Sequence, residues 1–458
     1  MFKFESKYLI ASLSFRIGIF LLVSAPFIAV FFFLVSLIYG LFLKSKEILK
    51  DKWNYLFLIA SLLMIFISLI HSLDFNNLSI LVLGIDGGKV EEKIINWDSF
   101  SSLIGLSNWI PLFLCFYAFQ PYLSSSNDRK TVGILFVTGS VPVLIAGFGQ
   151  YFFNWYGPFE TMNGLIIWFQ RDTGSGISSL FNNQNYAGCW LNIILPFSIA
   201  IFFERTKNIF QSGSSLIFMV TISLASFLTT SRNAWGGLFL TVPLMLGSSS
   251  FYWIIPIILL FGLLILLKIL NYFPENIDLF INSFLPDQFN IINQFSPTNY
   301  TNSIYNRNTI FLFALRMVSK SPFIGLGAAT FPIYYYVKND IYIGHAHNLI
   351  IDLAFSYGFI VAILIFINIF LLSYFSIKEI YFSKYSVKLN NIFFERSWCT
   401  SFIVLLFSQM FDVQYFDLRI SISFWILLAG MRCILNKSSS EDKDQGFNLS
   451  TNKKSLNN

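Results

Sequence analysis

The stretch that decides the fold is HAHNLIIDLAFSYGFIVAILIFINIFLLSY, residues 345–374. Its last 26 residues contain a single charged side chain, Asp352, and this length and composition are typical of a transmembrane helix. His345 and His347 stand directly before this span, in a chain that has only three histidines. Because histidine titrates near neutral pH, the pair predicts proton chemistry or anion binding at the bilayer surface.

Similar apolar runs recur along the 458 residues, of which 55% are hydrophobic and 12% charged. We therefore predict an all-α polytopic membrane protein with about twelve transmembrane helices. The predicted spans are 8–24, 26–43, 53–71, 103–122, 132–151, 186–203, 214–230, 233–247, 251–270, 348–374, 397–413 and 419–435. The first two are either a hairpin or one long helix broken at Pro26.

The predicted domain organisation is simple. Residues 1–435 form a single transmembrane domain into which a large polar loop, 272–347, is inserted, and residues 436–458 form a disordered tail. No cleavable signal peptide is expected, because the first apolar run continues into further spans. Four cysteines lie in or beside spans without CxxC spacing, so we expect them to be small packing residues.

The basic residues indicate the orientation in the membrane. With the spans numbered alternately, 19 of the 30 lysines and arginines fall on the side of both termini and nine on the other side. The positive-inside rule makes the richer side cytoplasmic, so the 272–347 loop faces outward. Five of the nine outward positives are arginine, the residue suited to gripping phosphate with paired donors. The net charge of +6 is explained by this topology, and no motif indicates nucleic-acid binding.

Two outward arginines are candidates for anion binding. Arg232 lies in a tight hairpin, 229–233, beside hydroxyl and amide side chains; the alternative is an arginine that extends to the interface from a helix end. Residues 303–320 predict an amphipathic surface helix with Ile304, Phe311, Leu315 and Val318 on its apolar face. Arg307 lies in its first turn, where free N–H groups attract anions, whereas Arg316 lies on the opposite face.

The segment after the histidine pair adds two polar side chains. Asn348 and Asp352 are four residues apart and so share one helical face. A carboxyl group inside a membrane helix indicates a functional residue or one buried against a partner. The histidines could instead be interfacial caps. Metal ligation by His345 and His347 is a third alternative, but no further ligand with usable spacing is apparent.

A third outward group has the residue types that contact sugars. Asn182–Tyr186 precedes the span at 186, after a segment containing Trp155, Tyr156, Trp168 and Arg171. Amides such as that of Asn185 bind hydroxyl groups, and aromatic faces stack on sugar rings. Asparagine is also a common helix cap, and interfacial aromatic residues commonly form a belt.

The ordered set of these motifs resembles the bacterial O-antigen ligase and O-antigen polymerase superfamily, in its cyanobacterial-type members. The shared features are the Ser231-Arg232 turn, the Asn-rich segment 181–187, Arg307 heading a surface helix, PFIGLG at 322–327, and His347-Asn348 opening a span. The motifs run through about 180–375, and the twelve-span frame extends the likeness to nearly the whole chain.

The resemblance implies a GT-C-like membrane glycosyltransferase of the bacterial inner membrane, active at the periplasmic face and involved in lipopolysaccharide and cell-envelope biosynthesis. It implies transfer of a glycan from undecaprenyl diphosphate to an acceptor hydroxyl on lipid A–core, on a polysaccharide or on a protein. The essential histidine maps to His347, with His345 as the alternative, and the diphosphate-binding arginines map to Arg232 and Arg307. No cofactor or metal is expected.

Ligase, polymerase and protein O-glycosyltransferase activities all remain open, because they share the donor and differ in the acceptor. A different class of function is transport of a small anion. A carrier would place polar groups near mid-bilayer and often contain inverted repeats, whereas the ionisable residues here gather at the outer face.

Overall fold

The structure is a computed structural model. It describes residues 2–44, 50–83, 100–161, 166–168, 170, 176–204, 209–247, 306–382 and 391–435, with scattered positions between 250 and 267. The predicted tail 436–458 and most of the 272–347 loop lie outside the described residues, as does Arg171.

The described part is almost entirely helical, as predicted. Its first half contains α1 (Phe2–Leu21), α2 (Pro26–Lys44), α3 (Lys52–Leu83), α4 (Ser101–Ile104), α5 (Ile110–Ala118), α6 (Ser126–Gly139) and α7 (Val141–Phe153). Two 3₁₀ turns, Gly105–Asn108 and Gln120–Leu123, flank α5. The second half contains α8 (Gln184–Phe202), α9 (Ile209–Leu228), α10 (Arg232–Leu246), α11 (Arg307–Lys320), α12 (Phe331–Asn339), α13 (Leu349–Ile377), α14 (Ile392–Ser408) and α15 (Leu418–Leu435). A π-helical turn, Lys378–Phe382, extends α13.

Within the described residues, eight helices are long and apolar enough to span a membrane. Helices also occupy three further predicted spans, as α1, α10 and α14, although these do not meet that criterion. The span predicted at 251–270 falls largely outside the described residues. The polytopic helical class is thus confirmed, and the count of twelve stays a prediction. One small addition is an antiparallel two-stranded ribbon, β1 (Phe159–Thr161) with β2 (Ile166–Trp168), in the segment after α7.

The first two helices form a hairpin, which decides between the alternatives at Pro26. The chain turns over residues 22–25, and α2 begins at Pro26, where the missing N–H is not needed. Phe15 of α1 contacts Phe33 of α2 with ring centroids 6.0 Å apart. Ser36 Oγ donates to the carbonyl of Ala11 at 2.9 Å. The two helices therefore pack against each other along their length.

Helix α8 is the centre of the packing, because α6, α9, α10 and α14 all contact it. Asn192 joins three helices: its Nδ2 donates to Ala234 O of α10 at 3.0 Å, and its Oδ1 accepts from Ser226 of α9 at 3.3 Å. Ser401 of α14 donates to Ile193 O at 2.7 Å. Hydrogen bonds of this kind hold membrane helices together where the hydrophobic effect is weak. They hold the middle of α8 against α9, α10 and α14.

A buried ion pair fixes α14 at the end opposite the candidate site. Arg129 of α6 donates to Glu395 of α14 through Nε at 2.9 Å and Nη2 at 2.5 Å. Both side chains are almost fully buried, and the paired guanidinium geometry satisfies each carboxylate oxygen. Trp398 donates to the Arg129 carbonyl at 3.1 Å. The helix that leads to residue 409 is thus anchored at its beginning.

Helix α13 is broken at Gly358, whose φ of 84° is a left-handed conformation that favours glycine. Backbone groups freed by the break pair with loop 322–327: Leu326 N donates to Phe355 O at 2.7 Å, and Phe359 N donates to Pro322 O at 2.8 Å. A Cβ at Gly358 would overlap the Phe323 carbonyl. The loop predicted as a turn therefore packs backbone to backbone against the break, which satisfies the requirement that irregular backbone be shielded from lipid. His71 of α3 donates to Ile324 O at 3.0 Å and holds the loop from the other side.

Candidate functional site

Three distant parts of the chain converge on Asp412, which is buried in the turn between α14 and α15. His347 Nδ1 lies 2.8 Å from Asp412 Oδ1. Asn185 Nδ2 donates to Oδ2 at 2.9 Å, and Arg307 Nη2 lies 3.6 Å from the same oxygen. His345 Nε2 is 3.9 Å from Oδ1. We call these five residues the Asp412 cluster. It lies at the end of the helix bundle where α8, α11, α13 and α15 begin.

The turn that carries Asp412 is held by its own buried amides. Gln409 Nε2 donates to Gln414 Oε1 at 3.0 Å, and Gln409 Oε1 accepts from Tyr415 N at 2.9 Å. The Gln409 carbonyl accepts from Leu349 N at 3.0 Å, which ties the turn to the start of α13. These hydrogen bonds therefore hold Asp412 against the histidine pair.

Helix α13 begins with interlocking caps that orient His347. Asn348 is the N-cap: its Oδ1 accepts from Ile351 N at 3.1 Å, and its Nδ2 donates to Met410 O at 3.0 Å. Asp352 Oδ1 accepts from Ala346 N at 3.0 Å, so the carboxyl group inside the helix has a backbone partner. His347 itself is left-handed at φ 56°, a conformation uncommon outside glycine. Strained backbone of this kind is concentrated at functional sites.

The two histidines have different environments. His345 Nδ1 accepts from His347 N at 3.3 Å, which indicates the neutral tautomer with its proton on Nε2. Burial, followed by the neighbouring His347, lowers the pKa of His345 to about 4. His345 is therefore uncharged at neutral pH. The Nδ1 of His347 contacts a carboxylate instead, and its side chain is 22% exposed, so the other ring nitrogen can face a substrate.

Asp412 is ionised at neutral pH. Burial alone would raise the pKa of this carboxyl group, but the hydrogen bond with His347 and the charge of Arg307 outweigh burial and hold it below the ordinary value. A carboxylate beside Nδ1 fixes the proton on that nitrogen and leaves Nε2 with a free lone pair. The geometry is thus that of a histidine base oriented by an acid.

Both candidate arginines lie at this end of the molecule. Arg307 is the first residue of α11 and donates through Nη1 to Phe411 O at 3.1 Å. Arg232 is the first residue of α10, where its neighbour Ser231 is the N-cap. Ser231 Oγ donates to Asn185 Oδ1 at 2.8 Å, so one chain of hydrogen bonds runs from the Arg232 turn to Asp412. Arg232 is exposed, and no ion pair with it is found among the described residues.

The predicted surface helix is confirmed as α11, and its predicted apolar face is only partly correct. Val318 is buried as predicted, and Ile304 lies outside the described residues. Phe311 and Leu315 are only partly buried. The buried positions are Ile310, Phe313, Ala314, Met317 and Val318, which pack toward α13. The pattern misled because Phe311 and Leu315 are also apolar and lie at the edge of the same stripe. Arg316 is exposed, as predicted.

The residues predicted to contact a sugar do not form one site in the structure. Both polar groups of Asn185 are used within the protein, on Asp412 and Ser231. Trp168 donates to the carbonyl of Ser24, and Trp155 packs against Gly149, so neither belongs to the Asp412 cluster. Tyr186 lines a cavity that reaches His345. Arg171 lies outside the described residues.

Three members of the cluster have the right chemistry to hold a metal ion. One ligand atom each from His345, His347 and Asp412 lies within 4.8 Å of the other two. The sequence alone did not indicate a third ligand, because Asp412 is 65 residues from His347. The Asp412 carboxylate already has three partners within the protein, namely Arg307, Asn185 and His347. Its negative charge is therefore stabilised by these side chains.

Asp412 is the residue of the candidate site that the sequence did not reveal. It lies in FDVQYFD, residues 411–417, directly after an apolar run and close to Asp417. A carboxyl group at the end of a predicted span was the available signal. Nothing local distinguishes Asp412 from Asp417, which forms a close ion pair with Arg419 at 2.5 Å.

Residues 217–366 match a protein-family model described as O-antigen ligase. The matched range begins in α9 and ends in α13, so it contains Arg232, Arg307 and His347. Asn185 and Asp412 lie outside it, although they contact its residues in space. No match is found among the curated proteins.

Proposed function

Since this chain belongs to the O-antigen ligase/polymerase superfamily, we propose that it transfers a glycan from undecaprenyl diphosphate to an acceptor hydroxyl at the periplasmic membrane surface. The observation that carries the proposal is the Asp412 cluster, in which a carboxylate, a histidine and an arginine meet. The cluster combines a base with a cation, and glycan transfer from a diphosphate carrier needs both.

His347 is the proposed general base. A hydroxyl group is a poor nucleophile, and a positioned base typically accelerates its attack about 10²–10⁴-fold. Asp412 directs the Nδ1 proton of His347 and leaves Nε2 to remove the proton of the acceptor. His345 is less suited to the role, because its Nδ1 accepts a backbone hydrogen bond. The distinction between the two histidines, open from the sequence, is thus supported by geometry.

Arg307 and Arg232 are the proposed diphosphate ligands. The leaving group gains negative charge as the glycosidic bond breaks, and guanidinium donors positioned beside it stabilise that charge. Each arginine begins a helix, where free backbone N–H groups add to the attraction for an anion. With two guanidinium groups, the reaction as proposed requires no metal ion.

The other predicted residues have supporting roles in this proposal. Asn185 and Asn348 hold Asp412 and the start of α13, and Asp352 holds the backbone before His347. They are positioning residues. Arg171 remains a proposed further contact to the donor.

A reconstituted system tests the function against the alternative of anion transport. Purified protein in liposomes is expected to transfer a glycan from undecaprenyl diphosphate to lipid A–core, without flux of phosphate or chloride across the bilayer. Chelator is expected to leave the rate unchanged. Anion flux without transfer would contradict the proposal.

The acceptor class is distinguished by the glycan phenotype of a deletion strain. A ligase gives loss of all long chains from lipid A, whereas a polymerase gives chains shortened to one repeat. Loss of glycan from a protein indicates a protein O-glycosyltransferase. The ligase outcome is the one proposed, because the matched family model is that of the ligases.

Arg232→Lys is expected to lower kcat/KM for the lipid-linked donor by roughly 10- to 100-fold, since lysine keeps the charge but loses the paired donors. Initial rates of transfer at varied donor concentration measure the effect. Arg316→Lys is the matched control, because Arg316 is exposed on α11 away from the cluster. Unchanged donor kinetics in Arg232→Lys would remove Arg232 from the proposed site.

A further inference from the structure

A cavity of about 400 Å³ opens beside His345. It lies between the region around α4, helix α12 and the first turns of α13. His345 belongs both to its wall and to the Asp412 cluster, whereas Arg232, Arg307 and His347 do not line it. Its volume is within the range of small-molecule sites, roughly 300–1,000 Å³.

The wall is rich in aromatic rings, from several separate parts of the chain. They are Trp109, Tyr186, Phe331, Tyr342, Tyr357 and Phe416. Trp109 is buried and stacks on Tyr415 with ring centroids 4.5 Å apart, whereas Tyr342 is 70% exposed. The C–H face of a pyranose ring is apolar and packs well on the negative face of such rings.

A few polar groups accompany these rings. Asp352 is 6% exposed and lines the cavity. Its Oδ1 accepts from Ala346 N, which leaves Oδ2 for a ligand hydroxyl. Asn108 and Ser356 add an amide and a hydroxyl group. Apolar walls with a small number of polar groups are typical of a site that fixes the orientation of a small molecule.

The charges of the wall select against the diphosphate. No lysine or arginine is among the residues that line this cavity, and Asp352 adds a carboxyl group. A neutral sugar, by contrast, gains hydrogen bonds from Asp352, Asn108 and Ser356. Arg307 approaches Asp412 at Oδ2, and the two histidines approach it at Oδ1. The cavity, which His345 lines, therefore lies on the histidine side of the carboxylate.

We propose that this cavity binds the terminal sugar ring of the acceptor and presents its hydroxyl group to His347. The inference rests on the proposed function for the role of acceptor, but the binding of a sugar ring rests on the cavity alone. Asn108 and Tyr342 then determine acceptor specificity.

Saturation-transfer NMR tests sugar binding without relying on activity. The probes are the methyl glycosides of glucose, galactose, mannose and N-acetylglucosamine, added to the purified full-length protein. At least one glycoside is expected to receive saturation from wild-type protein, and both Tyr342→Ala and Asn108→Ala are expected to weaken its binding about tenfold. Phe323→Ala, which removes an exposed ring outside the cavity, is expected to bind it like wild type. No saturation transfer to any glycoside, or equal binding in both cavity variants, overturns the proposal.

Transfer kinetics separate the acceptor from the donor. Tyr342→Ala and Asn108→Ala are expected to raise KM for the acceptor about tenfold and to leave KM for the donor within error. A rise in donor KM alone overturns the assignment to the acceptor. If glycosides bind as expected but wild-type protein transfers no glycan to any acceptor, the sugar site stands and the proposed function fails.

Discussion

His347→Ala is expected to abolish glycan transfer while the protein stays in the membrane. The variant loses the imidazole that removes the acceptor proton, a contribution of about 10²–10⁴-fold in rate. Asp412 keeps hydrogen bonds from Asn185 and the backbone of Val413, so the cluster does not lose its remaining contacts. Transfer by membranes that contain equal amounts of variant and wild-type protein measures the effect.

Two further measurements identify the histidine that acts as the base. Added imidazole is expected to restore part of the activity of His347→Ala, since it supplies the missing proton acceptor. His345→Asn, which retains an acceptor for the His347 N–H, is expected to lose far less activity. Near-normal transfer by His347→Ala would rule out its role as the base.

Asp412→Asn is expected to lower kcat by about 10³–10⁴-fold, the size of effect known where an amide replaces the acid of a catalytic triad. An amide nitrogen facing His347 Nδ1 donates a hydrogen bond to it and so moves the ring proton to Nε2. The histidine then presents a proton where it needs a lone pair. An amide turned the other way meets the Nδ2 donor of Asn185 instead. Initial transfer rates and the melting temperature separate the chemical effect from unfolding.

Asp417→Asn is the matched control, because it lies in the same turn but pairs with Arg419. It is expected to keep transfer within a few-fold of wild type, because the partner of this carboxylate is Arg419 and not a histidine, and an amide oxygen at this position still accepts a hydrogen bond from Arg419. Equal activity of Asp412→Asn and wild type would show that the carboxylate does not orient the base.

The helical architecture was predictable because backbone polar groups inside a bilayer must be hydrogen-bonded within the protein. Long apolar runs without charge leave no stable alternative to helices, and the described helices follow the predicted spans closely. The four cysteines, predicted as packing residues, are all buried, and none of them forms a disulfide. Breaks inside spans were harder to foresee. Gly358 has no local signal that separates it from a glycine in a straight membrane helix, and its role depends on loop 322–327.

Several residues of the candidate site could be predicted individually from the sequence. Their meeting at one place could not be predicted. His347, Asn348 and Arg307 have local signals, since each stands at a helix start in a polar segment. Their meeting at Asp412 depends on the packing of α14 and α15, which no spacing in the sequence encodes. For the same reason Asn185 was expected to contact a ligand, whereas its amide bridges Ser231 and Asp412.

The break at Gly358 separates the part of α13 that serves the site from the part that serves the bilayer. Residues 349–359 are held by loop 322–327 and by the Gln409 turn, and residues 360–377 continue as a long apolar rod. Bilayers of different thickness change the tilt of such a rod. Because the loop holds the break and the residues on both sides of it, we expect the tilt to change mainly beyond residue 359. The position of the imidazole is then expected to depend little on hydrophobic thickness.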